Sequence, residues 1–157
     1  MSCCVLLLWA TSCGPVKVVG PRPLYPEAND DYIEIDSRQP TLRWEAFPNA
    51  EFLDAMPKGI EDRIADLTYD LRIWRAVEDY PAELAYARSG LAKPQHRLEV
   101  ALDPAKQYHW TVRARFTLNG RSRVTHWGML AEGSCIGADR KSRVPSLCHY
   151  RFSTPEE

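Results

Sequence analysis

Long apolar runs, surplus charge and catalytic signatures are all scarce in this 157-residue sequence. No apolar run approaches the roughly 20 residues that cross a bilayer as a helix. Twenty Lys and Arg stand against twenty-one Asp and Glu, a formal net charge of −1 with a pI ≈ 6.4. That balance excludes a generic nucleic-acid binder, whose domain pI is expected above about 9. There is no Gly-x-Ser-x-Gly, no Gly-x-x-x-x-Gly-Lys-Ser/Thr, no His-Glu-x-x-His and no Gly-x-Gly-x-x-Gly. Internal repeats and low-complexity tracts are absent too. What is present leans toward strands and turns: twelve prolines, eight glycines, five tryptophans and seven tyrosines. A chain of this length is one domain, long enough to bury a core without staples. The expectation is a non-enzyme with no cofactor, no metal and no nucleic-acid partner.

The first residues carry a localisation signal. Val5 to Ala10 is apolar, and the small residues Ala10, Thr11 and Ser12 lead into Cys13. A short apolar stretch before small residues is the pattern of a secretion signal. With cysteine next, it resembles the lipobox of bacterial lipoproteins, whose equivalent cysteine is acylated and becomes the first mature residue. The resemblance implies a signal peptide at 1–12, a lipid on Cys13 and membrane attachment through it. Gly14 is not the aspartate of an inner-membrane retention signal, so the implied address is the outer membrane, with the domain facing periplasm or cell surface. The stretch before Cys13 is shorter than usual and has no Lys or Arg. The expectation is therefore that the true start lies upstream of Met1.

The cysteines sort accordingly. Cys3 and Cys4 leave with the signal, Cys13 carries lipid, and Cys135 and Cys148 remain. An even pair in an exported domain suggests a disulfide. It closes a loop of about 14 residues, worth on the order of 3 kcal/mol in the chain-entropy picture. The rival is a metal site of Cys135, Cys148 and His149, which lacks a second Cys-x-x-Cys or His-x-x-x-His to complete it.

Residues 13–30 hold Pro15, Pro21, Pro23 and Pro26 and read as an extended tether or edge segment. Alternation then marks strands. Leu42 and Trp44 share one face after Pro40. Tyr69, Leu71 and Ile73 face one way, and Asp70, Arg72 and Trp74 the other. Between them, residues 47–66 read as a loop with one or two helical turns after Ile60. A short strand is expected at Leu84–Ala87, ended by Gly90, and another over 96–102 through Leu98, Val100 and Leu102. The strongest follows: Tyr108, Trp110, Val112, Ala114 and Phe116 on one face, with His109, Thr111, Arg113 and Arg115 on the other. Asn119-Gly120 marks a hairpin, Val124–Trp127 the start of the return, and 149–153 the last strand. Short alternating strands between turn signals predict an all-β antiparallel sandwich over 31–155.

The run Leu102-Asp-Pro-Ala-Lys-Gln-Tyr108-His-Trp110-Thr-Val112-Arg-Ala114 is similar to the E–F corner and strand F of fibronectin type III domains. Trp44, Tyr69–Ile73 and Tyr150–Thr154 resemble that family's strands B, C and G. The resemblance implies an immunoglobulin-like sandwich with Tyr108 as the corner tyrosine, whose hydroxyl bonds nearby backbone. It also implies an adhesion or interaction module with no catalytic residues. Two segments depart from the pattern, the long loop 47–67 and the long stretch holding Cys135 and Cys148.

Charge is unevenly placed. Residues 27–70 hold twelve acids and four bases, whereas residues 113–151 hold eight bases and two acids. Arg113, Arg115, Arg121, Arg123 and Arg151 are expected to form one basic face, with Trp74 exposed beside it as an anchor and Trp127 as a second anchor or core residue. His96, His109, His126 and His149 read as surface histidines. The resulting expectation is a lipid-anchored envelope module that binds a protein through the basic face. The alternative is an envelope-glycan binder that stacks sugars on Trp74 and Tyr86.

Overall fold

A computed structural model describes residues 19–29, 31–128 and 149–157. In chain order its strands are β1 Pro23–Tyr25, β2 Ile33–Glu34, β3 Thr41–Trp44, β4 Ile64–Val77, β5 Tyr80–Leu91, β6 Gln95–Arg97, β7 Gln107–Leu118, β8 Arg121–Val124 and β9 Tyr150–Ser153. They form a three-stranded sheet, β1-β3-β6, and a larger sheet, β2-β9-β7-β4-β5, with β8 also on β7. The chain is an all-β sandwich, as the alternation predicts. All pairings are antiparallel except β2 with β9, which is parallel.

The inward faces are those the alternation marks. Leu42 and Trp44 of β3 meet Tyr69, Leu71 and Ile73 of β4 and Tyr108, Trp110, Val112, Ala114 and Phe116 of β7, each at most 3% exposed. Trp44 packs edge-on to Tyr69, and the Tyr69 hydroxyl accepts the buried Phe47 N–H at 2.9 Å. The long loop after β3 closes one end of the core. Asn49 caps a five-residue helix, α1 Ala50–Asp54, by accepting the Phe52 N–H at 3.0 Å. Phe47 then packs between Phe52 and Phe116, with ring centroids 4.8 and 4.7 Å away. The helical turn expected after Ile60 is a single 3-10 turn, Glu61–Arg63.

Tyr108 makes the expected corner contact, accepting the Asp103 N–H at 3.0 Å. Asn119 and Gly120, both at positive φ, turn β7 into β8.

Within the proline-rich stretch β1 is an edge strand paired with β3, the edge-segment form of the expectation. Two boundaries differ from expectation. β5 runs unbroken through Pro81 and Gly90. It is an edge strand with register shifts near both residues, which absorb the missing N–H and the φ of 75°. β6 stops at Arg97: Leu98 and Leu102 are buried through loop contacts, and Val100 is 52% exposed.

The last strand position is split. β8 pairs with residues 115–118 of β7, and β9 pairs with residues 107–110 of the same strand. Between them the Thr125 N–H bonds the Ala114 carbonyl and the Gly128 N–H bonds the Val112 carbonyl, at 2.9 and 2.8 Å. Both halves therefore lie on the β7 edge opposite β4.

Candidate functional site

The outer face of the larger sheet holds the side chains that alternation turns away from the core. Register places Asp70 opposite Arg113, Thr68 opposite Arg115 and Arg72 opposite Thr111. Asp70 is 2% exposed and accepts the Nε–H of Arg113 at 2.8 Å and of Arg115 at 2.5 Å through one oxygen, Oδ2. Its other oxygen is buried without a partner. Burial alone would raise the Asp70 carboxyl, but the bonds from Arg115 and Arg113 outweigh it and hold the group below its ordinary value. Two guanidiniums lie against the half-buried Trp127 ring, Arg72 at 4.7 Å and Arg113 at 4.4 Å from its centroid. Arg72 and Arg115 remain exposed at the rim.

The five arginines expected on one face divide. Directly opposite residues share a face. Arg121 is opposite Leu118 and Arg123 opposite Phe116, so both stand on the core-facing side of the sheet, exposed at its edge. Arg151 is opposite His109 and joins Arg113 and Arg115 on the outer side, 5.6 Å from the Tyr32 ring.

Trp74 is not an exposed anchor. It is 8% exposed and stacks on His149, with planes 10° apart and centroids 5.1 Å apart. The surface reading holds for His126, which is exposed, and for His96 in part, which is half-buried; it fails for His109 and His149. His109 is fully buried and His149 is 5% exposed. Tyr32 covers His109 edge-on, with its hydroxyl 2.8 Å from Nε2, and the Asp79 carbonyl lies 3.1 Å from the same nitrogen. Burial, with Arg151 nearby, lowers the His109 pKa to about 4. Burial, with His109 and Arg72 nearby, lowers that of His149 to about 3.

The glycan platform fails at the same residue, since Trp74 offers no open face. Tyr86 is half-buried and engaged with His96, its hydroxyl 2.6 Å from Nε2. Cys13, Cys135 and Cys148 lie outside the described residues. Among the described residues no three His, Cys, Asp or Glu side chains group to hold a metal, and no helix is long and apolar enough to cross a membrane.

Sequence reasoning overlooked Asp70, Arg72 and Tyr32 as parts of this face. The available signal was Asp70 itself, an acid aligned with the arginine side of the next strand. Compared with known protein families, curated proteins and solved structures, the chain gives no match.

Proposed function

We propose that the chain is a non-catalytic module of the cell envelope, anchored through an acylated Cys13, that docks an acidic partner protein on the outer face of its larger sheet. The observation that carries the docking reading is the Arg115–Asp70–Arg113–Trp127–Arg72 array. Two guanidiniums, Arg113 and Arg115, share one buried carboxylate and Arg72 lies against Trp127, so the cluster keeps a surplus of positive charge. Asp70 and Trp127 hold those groups in place before any partner arrives, which lowers the ordering cost of binding. Arg and Trp are also the residue types that dominate interface energetics. The fibronectin type III likeness of the sequence supports the same class, and the Tyr108 hydroxyl makes the backbone bond which that likeness implies. The anchor rests on the lipobox-like sequence alone.

Two variants test the reading. Cys13→Ser is expected to move the protein from the membrane fraction to the soluble fraction; retention after carbonate washing refutes the anchor. Arg72→Glu, at an exposed arginine that makes no bond to Asp70, is expected to weaken recovery of an acidic envelope partner strongly while leaving the melting temperature nearly unchanged. Recovery that is indifferent to this reversal removes the face from consideration.

A further inference from the structure

The smaller sheet carries a second arrangement, on the opposite side of the sandwich. Leu42 and Trp44 of β3 point into the core, so Thr41 and Arg43 point to solvent. Arg43 is opposite Gln95 and Thr41 is opposite Arg97 on β6, while Tyr25 of β1 is opposite Arg43. All five therefore stand on one face. The segment from Asp36 to Pro40 borders them, and together they line a wide, solvent-open cleft of about 470 Å³. That volume is within the usual range of small-ligand sites.

The lining determines what fits. Polar and apolar surface share the lining about equally, with the Tyr25 ring and Pro40 on the apolar side, which suits a ligand that is itself part apolar and part polar, as a sugar ring is. Arg43 and Arg97 are exposed, and among the described residues neither has an ion-pair partner. Arg22, Arg88, Arg113 and Arg115 each have one and Arg75 has two, while Arg38, Arg63, Arg72, Arg121 and Arg123 share the unpaired state; what distinguishes Arg43 and Arg97 is that both line one cleft. The one carboxylate in the lining, Asp36, accepts the Tyr25 hydroxyl at 2.9 Å. Arg43 lies 5.7 Å from the Tyr25 ring centroid, so one guanidinium is seated against an aromatic wall. The amides of Gln39 and Gln95 and the hydroxyls of Ser37 and Thr41 complete the lining. Two cations on neighbouring strands suit one oxyanion, since guanidinium matches carboxylate and phosphate geometry. Two cations beside an acid are too few for a polyphosphate track. Amides and hydroxyls around them suit a ligand with several hydroxyls.

We propose that this cleft binds an acidic sugar: a hydroxyl-rich ligand whose single carboxylate or phosphate sits between Arg43 and Arg97. It shares no residue with the docking face and stands or falls apart from it.

The test titrates the full-length, nitrogen-15-labelled protein with glucuronate, glucose 6-phosphate, glucose and inorganic phosphate. It follows the Nε–H signals of Arg43 and Arg97 and the side-chain amides of Gln39 and Gln95. One acidic sugar is expected to saturate these signals, at least about tenfold more tightly than glucose or inorganic phosphate. Which of the two binds more tightly identifies the acid as carboxylate or phosphate. Arg43→Gln with Arg97→Gln is expected to weaken it by a further tenfold or more, on the order of one lost charge-assisted bond or above. Both positions are exposed, so the variant is expected to keep its melting temperature. Equal binding of glucose overturns the proposal, as does equal binding of inorganic phosphate, which marks an adventitious ion only. Shifts confined to other residues, or affinity unchanged in the variant, overturn it as well.

Discussion

Trp74 and His149 lie flat against each other, 5.1 Å between ring centroids, on the side of the sheet that faces away from the core. Tyr32 closes over His109 beside them. The outer face of this sheet is therefore part polar surface and part second aromatic core.

That burial makes the fold sensitive to mild acid. His109 and His149 are held neutral, with pKa values lowered to about 4 and about 3 from 6.5. A depressed histidine contributes fully above pH 6.5, where folded and unfolded chains are both neutral. Below that the unfolded chain gains protons first and stability falls, by roughly 1.4 kcal/mol per histidine per pH unit until the folded values are reached. Melting curves between pH 7 and 4 are expected to show a steep fall. His149→Phe, which keeps a ring against Trp74, is expected to make the slope markedly shallower. An unchanged slope removes His149 from the account.

Asp70→Asn tests the arginine cluster. The substitution removes the one carboxylate that neutralises Arg113 and Arg115 where it is 2% exposed. Breaking a buried pair from one side costs about 2–4 kcal/mol here, the exposed Arg115 keeping the figure below the fully buried case. Urea denaturation at pH 7 measures it, and a loss under about 0.5 kcal/mol contradicts the organising role. The Asp70 carboxyl is lowered from 3.8, so its own acid loss comes only as the pH falls through and below that value, beneath the His109 window and overlapping the lower end of that of His149.

Tyr108→Phe removes one hydroxyl and leaves the Asp103 N–H without its acceptor. The expected loss is about 1 kcal/mol, with the β7 register unchanged. Amide exchange at Asp103 is expected to accelerate well before that of the β7 core positions.

One substitution is expected to stabilise. Val77 pairs with Tyr80, so Glu78 and Asp79 form a two-residue hairpin loop at φ 51° and 66°. A hairpin of this kind prefers Asn at its first position. Glu78→Asn is expected to add about 0.5 kcal/mol, read as a rise of about 1–2 °C in the melting temperature. A fall shows that the Glu78 side chain does something at this loop beyond turning the chain.

Alternation made the core faces of β3, β4 and β7 legible, because a period of two assigns each side chain a side. It does not say what lies above that side. Trp74 read as exposed for this reason: its neighbours Asp70 and Arg72 are polar, but His149 is distant in sequence and packs over it. β5 was truncated because Pro81 and Gly90 are strand breakers in isolation, and only an edge with register shifts tolerates both. Val100 sat in phase with Leu98 and Leu102, yet those leucines are buried by a loop whose N–H groups bond Pro40 and Arg38. The five-arginine face failed by parity: hairpin pairing puts Arg121 and Arg123 out of phase with Arg113 and Arg115. The cleft between β1, β3 and β6 needs three strands and a loop brought together, and no local pattern announces it.

The split strand beside β7 has a consequence for how the protein accommodates change. β8 and β9 are each fixed by their own ladder, on residues 115–118 and 107–110 of β7. Each end of this edge therefore answers to its own substitutions: a proline at a ladder position of β8 is expected to loosen that end while β9 keeps its register.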